Sequence, residues 1–139
     1  MSNMMIKTIV AAVLVAAGTG AFLTMMSLMG RPGKTGDTGK ARKVHRVFGW
    51  LYVVLLAPLV YFGLGFVREM GDGMSTRAVF HVVLAETLIA LLLVKILIVR
   101  FFKGFVKSAP ALGMALFVLT IVIFLVTAGF FLVQTAAAN

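Results

Sequence analysis

Two histidines, His45 and His81, are the residues of this sequence with the most specific chemistry. A neutral imidazole binds transition metals and haem iron, and it exchanges protons near neutral pH. The chain has no other histidine and no cysteine. Without cysteine it has no disulfide, thiolate metal site, iron–sulfur cluster or covalently attached c-type haem of its own. The candidate metal ligands are therefore His45 and His81.

An arginine accompanies each histidine. Arg46 follows His45 directly, and Arg77 precedes His81 by four residues, about one turn of a helix. A guanidinium group binds carboxylates through paired N–H donors, and the propionates of haem are carboxylates. These four residues form a candidate cofactor-binding set for b-type haem, with a quinone headgroup as a further candidate ligand.

No pattern in the sequence indicates catalysis. It has no nucleophile paired with a base, and no cluster of metal ligands. The segment Gly30–Lys40 resembles a phosphate-binding loop only in being glycine-rich and basic, because Lys40 is followed by Ala41 where such a loop has serine or threonine. We therefore expect no catalytic residue and no enzyme activity from the chain alone.

Four long apolar runs must position the candidate residues. They are Ile6–Met29, Val47–Val67, Ala78–Val99 and Ala111–Val133. Each has about 20 residues or more, and about 20 helical residues cross ~30 Å of hydrocarbon. The backbone groups of such runs find no water in a bilayer, so the runs must be helical.

The sequence therefore predicts a single all-α domain over residues 1–139, an integral membrane four-helix bundle with up-down topology. The expected helices are 6–29, 44–67, 78–101 and 110–133. A composition that is 62% hydrophobic and a mean hydropathy of +1.12 agree with a membrane protein rather than a soluble domain.

The net charge of +9 is distributed unevenly between the two ends of these helices. The links 30–46 and 100–110, which lie on the same side, together carry nine cations and one acid. Cytoplasmic loops are enriched in lysine and arginine, so we expect both links in the cytoplasm and both termini in the periplasm of a bacterial inner membrane. This placement favours anionic lipid headgroups as the partner of the charge, and not nucleic acid.

The same topology separates the two histidines. His45 opens the second helix at the cytoplasmic face and His81 opens the third at the outer face, about 28 Å apart along the membrane normal. Two ligands of one iron lie only ~4 Å apart, given bonds near 2 Å. One chain therefore cannot hold a single haem between His45 and His81.

Three arrangements of haem ligands remain. Each histidine could pair with its mate in a symmetric dimer, or with a ligand from a different subunit. Alternatively, His45 could pair with a methionine from the Met25–Met29 end of the first helix. A fourth possibility is that no haem binds, and that the histidines tune interfaces or contact quinone headgroups.

Two ionisable residues lie inside the third apolar run. Lys95 shares a helical stripe with His81 and is close enough to Arg100 to extend towards the cytoplasmic interface. Glu86 lies about 7.5 Å deeper than His81 and points about 140° away from it. A carboxyl at that depth should be protonated, paired, or in contact with another protein surface. In the first run, Ala12, Ala16 and Gly20 form a row of small residues typical of helix packing.

Three short motifs carry a resemblance to a known group of proteins. They are His45-Arg46-x-x-Gly49, Arg77-x-x-x-His81 and Lys95-Ile96-x-Ile98-x-Arg100. Together, over residues 43–132, they resemble small bacterial four-helix integral membrane proteins similar to b-type cytochrome subunits. The resemblance implies respiratory electron transfer, with a c-type cytochrome as a partner. Relatives with this pattern have a polar or histidine position near the outer end of the second helix, where this chain has Tyr61-Phe62-Gly63.

These observations leave two hypotheses. In the first, the chain is a membrane subunit of a respiratory or photosynthetic electron-transfer assembly that holds b-type haem or contacts quinone. In the second, it is a non-catalytic accessory subunit that packs against a larger membrane complex. Both predict membrane lipid and either other membrane subunits or a second copy of the chain as partners.

Overall fold

The computed structural model describes residues 3–30 and 38–137, which are helical almost throughout. The helices are α1 (Asn3–Met29), α2 (Thr38–Met70), α3 (Thr76–Arg100), α4 (Ala109–Phe124) and α5 (Phe130–Ala137). Short 3-10 segments, Gly71–Gly73 and Lys103–Ser108, precede α3 and α4, and a π-helical turn, Leu125–Gly129, joins α4 to α5. Four segments are long and apolar enough to cross a membrane: Met4–Met29, Thr38–Gly73, Thr76–Arg100 and Lys103–Ala137. The predicted all-α class and number of spans are confirmed.

The largest difference from the expected boundaries is in α2, which begins six residues earlier, at Thr38, and ends at Met70. The added N-terminal residues include alanine, lysine and arginine, which favour helix but carry no hydrophobic signal. The apolar run marks only the part of a helix suited to hydrocarbon, so the helix outside it was missed. Pro58 lies within α2 without ending it.

The chain divides into two compact units, Met1–Leu59 and Val60–Asn139. In the first unit, α1 packs against the first half of α2 in antiparallel fashion. Gly20 lies against the ring of Phe48, and Gly18, two residues earlier on α1, lies against Tyr52, four residues later on α2. A Cβ added to Gly20 would lie 2.7 Å from Cε1 of Phe48, so any larger residue here would force the ring or the helix to shift.

The row of small residues predicted to pack on α1 is only partly at this contact. Gly20 is there, but Ala12 and Ala16 are exposed. The buried residues of α1 are Leu14, Ala17, Gly18 and Thr8. The expectation is therefore wrong for Ala12 and Ala16, because the face of α1 that meets α2 is rotated away from them.

In the second unit, α3 packs along α4 and the turn that follows it. Arg77 near the start of α3 contacts Phe130 of α5, whereas Lys95 near its end contacts Gly113 of α4. The two helices are therefore antiparallel. Pro110 is in the first turn of α4, as expected from its missing N–H.

Many large apolar side chains are exposed, including Leu64, Val118 and Val133, which are 66%, 58% and 68% exposed. In water such surfaces would cause association, but lipid tails are as apolar as these side chains. The exposed apolar surface agrees with a chain that spans a membrane several times.

Candidate functional site

His45 is held by the backbone of α1. Its Nδ1 lies 2.8 Å from the carbonyl oxygen of Ala21. A carbonyl can only accept a hydrogen bond, so Nδ1 carries the proton and donates it. In the neutral ring the other nitrogen, Nε2, then keeps its lone pair. The contact fixes both the tautomer and the orientation of the imidazole.

Thr24 completes the polar surroundings of this ring. Its Oγ1 lies 3.4 Å from Nδ1 of His45, and it donates to the carbonyl oxygens of Gly20 at 2.8 Å and Ala21 at 2.9 Å. Because the contact with Ala21 is 0.6 Å shorter than that with Thr24 (2.8 against 3.4 Å), the carbonyl sets the position of the ring.

This arrangement fits an iron-binding histidine. Metal-bound imidazoles usually donate their second ring N–H to a carbonyl or carboxylate, which orients the ring and makes the binding nitrogen more basic. His45 already makes that bond, so its Nε2 is suited to bind haem iron. Within the Met25–Met29 end of α1, Met25 is half-buried one turn after Ala21, whereas Met26 and Met29 are 44% and 51% exposed.

His81 is in the second turn of α3 and is half-buried. Its Nδ1 is buried and has no hydrogen-bond partner among the described residues. An unpaired buried nitrogen costs about 1–3 kcal/mol, so such atoms usually have a partner. Because the atom is buried, a cofactor or quinone would supply that partner only if neighbouring side chains moved aside.

The π-helical turn Leu125–Gly129 lies at the level of His81. Arg77 contacts Phe130, and His81 follows Arg77 by four residues on a helix antiparallel to α4 and α5. His81 therefore lies at the same depth as the position about four residues before Phe130, and that position is inside the π-helical turn. Single π-helical turns occur often at functional sites, because the extra residue displaces neighbouring side chains.

The two candidate arginines differ in their contacts. The guanidinium carbon of Arg77 lies 3.4 Å from the centre of the Phe130 ring. This contact uses the flat face of the guanidinium, so its in-plane N–H donors remain suited to a carboxylate. Arg46 is exposed beside His45 on α2. Binding of haem propionates by Arg46 and Arg77 stays a prediction.

The ionisable residues within α3 lie on different faces. Lys95 is half-buried against α4, with its Nζ 3.1 Å from the position that a Cβ on Gly113 would take. Glu86 is exposed, and none of the hydrogen bonds or ion pairs among the described residues includes it. The carboxyl therefore faces lipid or another protein.

Three parts of the site were missed by sequence reasoning: the Ala21 carbonyl, the hydroxyl of Thr24 and the π-helical turn. Of these only Thr24 leaves a sequence signal, as a hydroxyl in an apolar run one helix away from His45. His45 is in the first compact unit and His81 in the second, so each is placed by its own neighbours. Comparison of the chain with protein-family models, curated proteins and solved structures found no match.

Proposed function

We propose that the chain is a small membrane subunit of a respiratory or photosynthetic electron-transfer assembly, in which His45 binds a b-type haem. The observation that carries the proposal is the hydrogen bond from Nδ1 of His45 to the Ala21 carbonyl, which orients the ring and leaves Nε2 as the nitrogen for a ligand bond. Haem iron supplies one-electron chemistry between its ferric and ferrous states when it is bound.

The residues of this chain hold and tune the cofactor in the proposal. Nε2 of His45 would hold the haem iron, together with Met25 or a residue of another subunit. Arg46 offers N–H donors to a propionate. His81 and Arg77 form a separate candidate site for a second haem or a quinone headgroup, supported by the unpaired Nδ1 of His81. The chain acts as a conduit for electrons, with a c-type cytochrome as a candidate partner, and not as an enzyme by itself.

The wild-type chain tests this function directly. After expression with adequate haem supply and purification in mild detergent, we expect a Soret band and an α-band that sharpens on reduction with dithionite. Pyridine haemochrome analysis should give about one haem per chain if Met25 is the second ligand, and about half that if two chains share a haem at His45; haem at His81 would raise either value. A correctly folded but colourless protein would contradict the haem proposal.

The orientation in the membrane is a further part of the proposal. Nine cations in the links 30–46 and 100–110 favour the cytoplasm for both links and the periplasm for both termini of a bacterial inner-membrane protein. We expect a C-terminal alkaline phosphatase fusion to be active, and a green fluorescent protein fusion at the same point to be dark. The opposite pair of signals would reverse the topology.

A second candidate function is that of an accessory subunit that packs against a larger membrane complex. The exposed Glu86 favours it, because a carboxyl in the middle of a span needs a partner. A colourless, folded chain that migrates in blue-native gels only as part of a large complex would favour this function over electron transfer.

A further inference from the structure

An exposed seam runs along the whole of α3. Its residues follow one another at alternating spacings of four and three, and all are exposed: Val79, Val83, Glu86, Ala90, Leu93 and Leu97. We call these six residues the Glu86 seam. A spacing that averages 3.5 residues is that of the contact line between two supercoiled parallel helices. The opposite face of α3, which includes Leu88 and Lys95, is packed on α4.

The carboxyl of Glu86 makes a hydrogen-bonding partner necessary at the Glu86 seam. It is ten residues from Thr76 and fourteen from Arg100, about 15 Å and about 21 Å from the ends of α3. This depth is near the middle of the hydrocarbon, where a polar group without a hydrogen-bond partner costs several kcal/mol. The residue is too deep and too short to reach either interface as a lysine would.

We propose that the Glu86 seam binds the Glu86 seam of a second copy of this chain. Two copies inserted with the same topology have parallel α3 helices, so a two-fold axis along the membrane normal places both Glu86 side chains at one depth. A protonated carboxyl both donates and accepts, so the two carboxyls satisfy each other with two hydrogen bonds. Ala90, one turn later, is small enough for the two backbones to approach closely.

No cation among the described residues is placed to pair with this carboxyl in a second copy. In a second copy with the same topology, Lys95 lies about 13.5 Å from Glu86 along α3, and it is on the packed face of α3 against Gly113. Among the described residues of the four spans, no lysine or arginine lies near the depth of Glu86. The contact is therefore between identical residues.

This dimer is independent of the proposed haem site. His81 points about 140° away from Glu86 around α3, so the Glu86 seam does not bring two His81 rings together. The proposed dimer therefore excludes one arrangement of haem ligands, in which the His81 residues of the two copies bind the same iron across the Glu86 seam. A colourless protein would leave the dimer intact, and a monomeric protein would leave haem binding by His45 intact.

Disulfide cross-linking in native membranes tests the proposal, because the chain has no cysteine of its own. Ala90→Cys places one thiol at the centre of the seam. Val118→Cys is the matched control, because Val118 is on α4 and is 58% exposed. Lys95 of α3 contacts Gly113 of the antiparallel α4; Ala90 is five residues before Lys95 and Val118 is five residues after Gly113. Ala90 and Val118 therefore lie at the same depth in the membrane. After mild oxidation at low expression, we expect at least about fivefold more covalent dimer for Ala90→Cys.

The role of the carboxyl is tested in the Ala90→Cys background. Glu86→Gln should keep the cross-link, because an amide also donates and accepts. Glu86→Leu, which has a similar size, should lower it by about fivefold. Equal cross-linking at the seam and at Val118→Cys, an unchanged yield with Glu86→Leu, or cross-linking only to a different protein would each overturn the proposal.

Discussion

Replacing His45 by alanine is expected to abolish the haem binding proposed for this site. The substitution deletes the proposed ligand, an imidazole whose Nδ1 lies 2.8 Å from the carbonyl oxygen of Ala21. Loss of a bond that only orients a ligand lowers metal affinity about 10- to 100-fold, so loss of the ligand itself should leave less than a tenth or so of the haem. Absorbance in the Soret region, normalised to protein, measures the loss.

The control for this prediction is His81→Ala, which should keep the haem proposed for His45 and remove only what binds at His81. Thr24→Val provides a finer comparison, because the hydroxyl lies 3.4 Å from the ring and the Ala21 carbonyl would still hold it. We expect Thr24→Val to retain most of the haem. Circular dichroism should show that all three variants are helical. Full haem content in His45→Ala would exclude His45 as the ligand.

Replacing Gly20 by alanine should destabilise the first compact unit. The added Cβ would lie 2.7, 2.8 and 2.9 Å from three ring carbons of Phe48, closer than carbon atoms can approach. The ring or the helix must move, and overpacking of this kind typically costs about 1–3 kcal/mol in the free energy of unfolding. Gly49→Ala is the control, because nothing lies within 4 Å of its new Cβ. Thermal unfolding in detergent should separate the two variants.

The same substitution should also weaken haem binding. Gly20 directly precedes Ala21, whose carbonyl holds His45, so moving α1 away from α2 lengthens that hydrogen bond. Phe48→Leu removes the ring edge that causes the clash, and in that background Gly20→Ala should cost much less. A double-mutant cycle measures this coupling. If Gly20→Ala were neutral, or equally costly with and without the Phe48 ring, the close contact would not explain the glycine.

Hydrophobicity, read along the chain, correctly predicted the helical class and the four spans. Each span is long, and a bilayer leaves the backbone no alternative to helix, so composition alone decides this level of structure. The start of α2 at Thr38 was missed because polar residues outside the bilayer give no such signal. The π-helical turn Leu125–Gly129 was missed because one extra residue in a turn leaves the hydrophobic pattern almost unchanged.

At the candidate site, too, the sequence predicted some features, and the packing of the helices decided the others. The sequence singled out His45 and His81 because histidine is rare here and its chemistry is specific. The sequence could not identify Ala21 as the partner of His45. The group that accepts the hydrogen bond is a backbone carbonyl, and every residue has one. The tautomer of the ring, and with it the nitrogen left for a ligand, depends on which backbone atom the neighbouring helix presents.

By itself, then, the sequence determined that the protein lies in lipid, the number of its membrane-spanning segments and the depth of Glu86 within α3. All three follow from the order of apolar residues and a rise of about 1.5 Å per residue. Only the tertiary structure decided which face of each helix is covered. Nearly every residue of a span is apolar, so periodicity does not distinguish a face that meets a helix from one that meets lipid. The packing of Gly20 on Phe48 decides which face of α1 is covered. The packing of α3 on α4 decides which face of α3 is covered, and it leaves Glu86 exposed.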